Sequence, residues 1–192
     1  VKTLAPEAIL IGSSAGAFEA LSAILPSLPL NYSLSVIVVV HVPPDRTSLM
    51  AELFNRKCNI PVWEAEDKQP VEKGNIYFAP PDYHLRIEAD RSFSLSQDDP
   101  VLYSRPSIDV LFESAAEVFG TGLIGVVLTG ANEDGAAGLR HIVDAGGKAI
   151  VQNPESAHAS AMPYAALSRC EHAEILSLDA IANYLKKVQS NS

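Results

Sequence analysis

The stretch Ile9-Leu10-Ile11-Gly12-Ser13-Ser14-Ala15-Gly16-Ala17-Phe18-Glu19-Ala20-Leu21 decides how this chain folds. A short apolar run ends in small residues, and a helix-like pattern starts at once. That succession is how a parallel strand hands over to a helix whose first turn can hold an anion. The small residues let the backbone turn sharply and let a substrate approach it closely. A serine at the carboxyl end of a strand, beneath a helix N-terminus, is well placed as a nucleophile, which singles out Ser14. The same string also reads as a phosphate-binding turn, or as a tight turn with an N-cap serine. The rest of the chain has to decide.

Working outward, Val36-Ile37-Val38-Val39-Val40 is a β-branched run without alternation. Runs of this kind belong to strands covered on both faces, in the middle of a parallel sheet. The first strand spans 8–12 and its helix 17–25, stopped by Pro26 and Pro29. The second strand ends at His41-Val42-Pro43-Pro44, before a helix over about 48–57. The middle third differs. Segments 62–65, 76–79, 84–87 and 93–96 are short and alternating, which predicts hairpin material at one edge of the sheet, with an antiparallel pair around 89–92. A loop over 103–107 leads into an amphipathic helix over 108–119, closed by Gly120 and Gly122. The parallel pattern then resumes with strand 123–129, helix 136–145, strand 148–152, helix 162–168, strand 174–176 and helix 179–188. The whole reads as one α/β domain over 1–192, a doubly wound, mostly parallel, Rossmann-like sheet with an antiparallel hairpin at one edge.

Composition narrows the function classes. Hydrophobic residues are 47% of the 192 and aromatics only 7%, so the core is aliphatic and alanine-rich. The net charge of −9 argues against nucleic acid or an anionic membrane as the main partner. Cys58 and Cys170 have neither metal-like spacing nor a disulfide framework, and read as reduced packing residues. The apolar stretch 34–40 is too short to span a bilayer. The N-terminus also lacks the basic-then-apolar order of a signal peptide. The expectation is a soluble cytoplasmic protein without membrane insertion.

In a doubly wound sheet the loops at the carboxyl ends of the strands converge on one crevice. Three buried strands deliver Ser14, His41 and Asp134 there. These supply a nucleophile, a base able to take its proton, and a carboxylate able to orient the base. Each has a structural alternative. His41 also reads as a satisfied histidine at a strand end, and Asp134, before Gly135, as a helix N-cap. A charge-neutral triad suits a neutral ester or amide. His84 lies where its strand begins, either lining the crevice or serving a structural role. Arg105 opens a helix, either binding a substrate carboxylate or clamping its own loop. His141, His158 and His172 have no partners at metal-ligand spacing, so no metal is expected. A dinucleotide site fares poorly, because Gly12 and Gly16 complete only part of the G-x-G-x-x-G fingerprint and His41 stands where a ribose-binding acid belongs. No cofactor is expected.

With these loops in hand, the chain resembles the catalytic domain of CheB-type protein-glutamate methylesterases of bacterial chemotaxis. The markers are I-G-S-S-A-G-A-F-E-A-L, H-V-P-P, P-P-D-Y-H-L, S-R-P-S-I-D-V-L-F, L-T-G-A-N-E-D-G-A-A-G-L, and V-Q-N-P-E with M-P-Y-A-A, spread over about 9–167. The resemblance implies Ser14 as nucleophile, His41 as general base and Asp134 as the triad acid. It implies hydrolysis of glutamyl γ-methyl esters on the cytoplasmic domain of a methylated chemoreceptor, or on another methyl-esterified protein, releasing methanol. Related members also deamidate receptor glutamines at the same site. Loop position nominates backbone N–H groups near Ala15 and Ala131 as the oxyanion donors.

The chain departs from the family pattern at four places. The chemotaxis members usually have threonine at 15 and glycine at 17, where this chain has Ala15 and Ala17. Ala15 lacks a hydroxyl available for holding His41. The usual M-G of the acid loop is Ala131-Asn132 here. No receiver domain, the phosphorylation-controlled module that normally precedes this one, lies within these residues, so the sequence is either a cut-out domain or a free-standing member, and the loop departures favour the second. These departures leave a rival reading, a CheB-like binding or regulatory module that has kept the fold and lost the reaction.

Overall fold

The computed structural model describes residues 5–42 and 49–188. Seven parallel strands form one sheet in the order β3-β4-β2-β1-β7-β8-β9. The strands are β1 (Ala8–Ser13), β2 (Ser35–Val40), β3 (Val62–Glu64), β4 (Ile76–Phe78), β7 (Leu123–Val127), β8 (Lys148–Gln152) and β9 (Glu174–Leu176). β1, β2 and β7 are buried along their whole lengths, as unalternating aliphatic runs require.

Successive side chains of each strand serve opposite layers. Leu10, Ile37, Val39, Val127 and Val151 pack beneath α3 (Ile108–Phe119), α4 (Ala136–Asp144) and α5 (Ala161–Arg169). Ile9, Ile11, Val36, Val38 and Val126 pack beneath α1 (Ala17–Ile24), α2 (Met50–Asn55) and α6 (Leu178–Lys187). The result is a sheet between two helical layers, the doubly wound α/β arrangement expected from the strand and helix pattern.

The middle third corrects one detail of the expected hairpin. The antiparallel pair β5 (His84–Ile87) and β6 (Phe93–Ser96) does form, turning through 88–92. It is a separate two-stranded sheet rather than part of the main sheet's edge. Leu85, Ile87 and Phe93 pack it into the layer that holds α3. β3 and β4, expected with it, are instead parallel members of the main sheet. At three residues each they show too little of a period to reveal their pairing. The expected helix over 48–57 is seen as α2 (Met50–Asn55), while Pro43, Pro44 and Ser48 lie outside the described residues.

The topology places the site. From β1 the chain winds one way, through α1 to β2. From β7 it winds the other way, through α4 to β8. The switch point therefore lies between β1 and β7, and a crevice opens outside their carboxyl ends.

Candidate active site

Strand register sets the backbones of Ser14 and His41 at neighbouring positions, although no hydrogen bond joins their side chains among the described residues. Ser13 pairs with Val40 in the parallel ladder, and His41 N–H continues it by donating to Ser13 O at 3.2 Å. Ser14 and His41 are the next residues on neighbouring strands, whose spacing is about 4.8 Å. The two adjacent serines part company here. Buried Ser13 spends its hydroxyl on Thr129 O at 2.8 Å, whereas half-buried Ser14 keeps its hydroxyl free of hydrogen bonds among the described residues. Gly16 opens α1 immediately beyond, with φ of 82°. That conformation suits glycine, and a Cβ there would also lie 2.6 Å from His158 Cβ.

Asp134 meets His41 from the other side of the switch point, with Oδ2 2.7 Å from Nε2. Asp134 does not cap its own helix. It is buried under α3, where Oδ2 accepts Ile108 N–H at 2.7 Å and Oδ1 accepts Asp109 N–H at 3.0 Å and Ser107 Oγ–H at 2.8 Å. The first turn of α3 thus supplies the donors that a buried carboxylate needs. Burial alone would raise this carboxyl. The His41 bond and the Asp109 and Ile108 amides outweigh it and hold Asp134 below the usual carboxylate range.

Asp109 returns the arrangement. Its Oδ1 accepts Gly135 N–H at 2.9 Å and Gly138 N–H at 2.7 Å, capping α4, the helix that follows Asp134. Two helices therefore exchange N-terminal carboxylates, which fixes Asp134 against His41. Burial dominates at Asp109, only partly offset by the two amides and reinforced by the Asp134 charge, and pushes its carboxyl up to about 6.

Thr129 joins the loops that carry the nominated oxyanion donors. Its hydroxyl donates its one proton to Ala15 O at 2.8 Å, lies 3.2 Å from Ala159 O, and accepts Ala159 N–H at 2.9 Å. Its amide donates to Gln152 Oε1 at 2.9 Å, and its carbonyl accepts Ser14 N–H at 2.9 Å. The N–H groups of Ala15 and Ala131 donate to no acceptor among the described residues.

The second ring nitrogen of His41 faces Ser104, whose Oγ lies 3.4 Å from Nδ1 and 3.5 Å from Asn132 Nδ2. Ser104, His41 and Asp134 are thus hydrogen-bonded in series. Ser104 was not singled out from sequence, because no local pattern distinguishes it from a loop serine. A cleft of about 390 Å³ opens here, with His41, Val42, Tyr103, Ser104 and Arg105 in its wall. Ser14 is not among the residues that line it. The Arg105 guanidinium is fully engaged, with Asp82 Oδ1 at 2.6 Å and the carbonyls of Gln97 and Asp98 at 3.1 Å each. Those contacts are those of a loop clamp. His84 is buried, with Nδ1 accepting Ser107 N–H at 3.2 Å and Nε2 3.1 Å from Asp99 O. It supports the loop that opens α3.

Comparison with known proteins follows this geometry. Residues 9–185 match the family model for CheB methylesterase. A Leptospira interrogans protein (strain Fiocruz L1-130) is 44% identical over 186 residues, covering 97% of this chain and 96% of its own length. The protein-glutamate methylesterase/protein-glutamine glutaminase of Salmonella typhimurium is 38% identical over 180 residues, 92% of this chain but 51% of that protein. The Leptospira protein carries a provisional form of the same name. The crystal structure of the Thermotoga maritima CheB methylesterase catalytic domain superposes with a TM-score of 0.91 at 31% identity, covering 96% of this chain and 99% of that one.

Proposed function

Since this chain belongs to the CheB methylesterase family, we propose that it is a serine hydrolase of protein glutamate γ-methyl esters, acting through Ser14, His41 and Asp134. The observation that carries the proposal is the 2.7 Å contact between His41 Nε2 and a buried Asp134, one register position from a free Ser14 hydroxyl. Because Nε2–H is given to Asp134, Nδ1 is the basic nitrogen. His41 Nδ1 takes the Ser14 proton as Oγ attacks the ester carbonyl, and Ala15 and Ala131 N–H groups receive the oxyanion. Collapse expels methoxide, which leaves as methanol with the proton from Nδ1. Water then gives a proton to Nδ1 and attacks the acyl-serine; collapse returns that proton to Ser14 and releases the glutamic acid side chain, which ionises to the carboxylate in solvent. Glutamine deamidation follows the same course with ammonia as the leaving group. The proposed partner is the cytoplasmic domain of a methylated chemoreceptor or another methyl-esterified protein. No helix among the described residues is long and apolar enough to cross a membrane.

Two observations favour rivals. The Ser104 contact to Nδ1 nominates Ser104 as the nucleophile. Ser14 is the better candidate because it lies just before the N-terminus of α1, next to the Ala15 N–H, which donates to no acceptor among the described residues. The altered residues Ala15, Ala17, Ala131 and Asn132 nominate an inactive module, against which the His41–Asp134 pair speaks. Both are tested by labelling with phenylmethylsulfonyl fluoride and peptide mass spectrometry, beside ester turnover by Ser14→Ala and Ser104→Ala. The adduct is expected on Ser14, with turnover lost in Ser14→Ala and retained in Ser104→Ala. An adduct on Ser104 would reassign the nucleophile, and absence of both label and turnover would favour the inactive module.

A further inference from the structure

The turn between Val101 and Ser104 carries backbone strain at both of its corners. Val101 and Ser104 exchange backbone hydrogen bonds of 3.0 and 2.8 Å, closing a two-residue turn. Its corner residues, Leu102 and Tyr103, both lie in the left-handed region, with φ of 48° and 65°. Glycine and asparagine normally fill such corners, and a leucine and a tyrosine there are held against their preference. The turn also exposes what it carries. Leu102 is 38% exposed and the Tyr103 side chain is fully in solvent, although Tyr103 also forms part of the cleft wall beside His41.

Both ends of the turn are anchored to the site. Ser104 touches His41 and Asn132, and Arg105 is locked onto Asp82, Gln97 and Asp98. A strained backbone persists where its surroundings over-determine it, and such strain gathers at functional sites. A tyrosine ring turns about only two side-chain torsions, so it loses little conformational entropy when a partner covers it. The clamp also neutralises the cation in this wall, because Arg105 pairs with Asp82. Beside His41 the rim therefore offers an aromatic face without net charge.

We propose that Tyr103 is a specificity-determining residue, packing against the apolar polypeptide surface that flanks the esterified side chain and so favouring protein-borne esters over free ones. This rests on the esterase reading above. A side chain whose carbonyl reaches Ser14, next to His41, brings its own main chain and neighbouring residues to this rim. A small ester does not.

The test compares two substrates, p-nitrophenyl acetate and a chemoreceptor cytoplasmic fragment carrying glutamate γ-methyl esters. Tyr103→Ala and Tyr103→Gly are expected to raise KM for the fragment by about tenfold, the scale of losing one aromatic anchor. Their kcat on the fragment and kcat/KM on p-nitrophenyl acetate should stay within about twofold of the parent, since the anchor acts in binding alone. Tyr103→Phe should keep the parental KM. Tyr103→Gly should melt no lower than the parent, because glycine relieves the left-handed corner. An unchanged fragment KM in Tyr103→Ala overturns the proposal, as does an equal loss on both substrates, which would mean a disturbed site. A parent enzyme that cleaves p-nitrophenyl acetate but leaves the fragment intact removes the esterase premise and the proposal together.

Discussion

Asp134, just before α4, and Asp109, in the first turn of α3, carry the same chemical group and are driven in opposite directions. At Asp134 the penalty of burial is outweighed by His41 and the α3 amides, and the carboxyl stays below its usual range. Such a group stabilises the fold above its unfolded pKa, and the contribution is lost as pH falls through the lower folded value. At Asp109 burial wins and the carboxyl rises to about 6. Its folded form binds a proton more readily than the unfolded chain, whose value is about 3.9. Stability therefore falls as pH rises from about 4 to about 6, and the deficit persists above. Asp109→Asn isolates this effect, because both amide bonds from Gly135 and Gly138 end on Oδ1, an acceptor that asparagine retains. The variant should melt above the parent at pH 7.5, with the gap narrowing towards pH 4 in calorimetry. A variant that melts lower at pH 7.5 would show that the negative charge at the α4 N-terminus outweighs its burial.

Between elements, the decisive contact is α3 against α4, because the carboxylate exchange works only at one separation of the two helices. Gly138 sets that separation. A Cβ there would stand 2.5 Å from Phe112 Cβ and 3.0 Å from Asp109 Cα. Neither neighbour is the loose end of a flexible chain, so the helices must move apart. Gly138→Ala gains up to about 1 kcal/mol of helix propensity but incurs overpacking of about 1–3 kcal/mol. We expect net destabilisation of about 1 kcal/mol in urea denaturation, with ester turnover reduced as Asp134 loses its register with α3. An unchanged midpoint would show that the interface is softer than the contacts indicate. This contact also marks where reading the sequence stopped. Asp134 was legible because it ends a buried strand before a helix, and the cap proposed for it is real in kind. The helix that it caps is α3, which begins 26 residues earlier at Ile108. In the sequence Asp109 is marked only as part of an amphipathic helix, and Ser104 only as loop. Their partners lie on distant segments, and no local period records such pairings.

Across the whole molecule, legibility follows burial. The runs 9–11, 36–40 and 123–128 identified their strands because a strand covered by helices on both faces carries no alternation. β3 and β4 were assigned to the hairpin because three-residue strands take their partners from tertiary packing, here the parallel edge beside β2. Once β1 and β7 are placed on either side of the switch point, catalysis needs their loops to converge, and Thr129 is where they are tied. It touches Ser13, Ser14, Ala15, Gln152 and Ala159, which belong to the ends of β1 and β8 and to the loop before α5. The backbone contacts survive any substitution, so the hydroxyl can be tested alone. Thr129→Val keeps the shape and removes the bonds to Ala15 O and Ala159, leaving the half-buried Ala15 carbonyl and Ala159 N–H without this partner at about 1 kcal/mol, while Ala159 O keeps Gly130 N–H. If the hydroxyl aligns the oxyanion donors beside Ser14, kcat should fall by about 10–100-fold with KM little changed, because the lost alignment is felt at the developing oxyanion. Hydrogen exchange should quicken at Ala159, whose N–H loses its acceptor, and stay slow in β1 and β7. A variant with parental kcat and faster exchange at Ala159 would show that Thr129 secures the loops for folding alone, and that the oxyanion donors are positioned by the strand ladder itself.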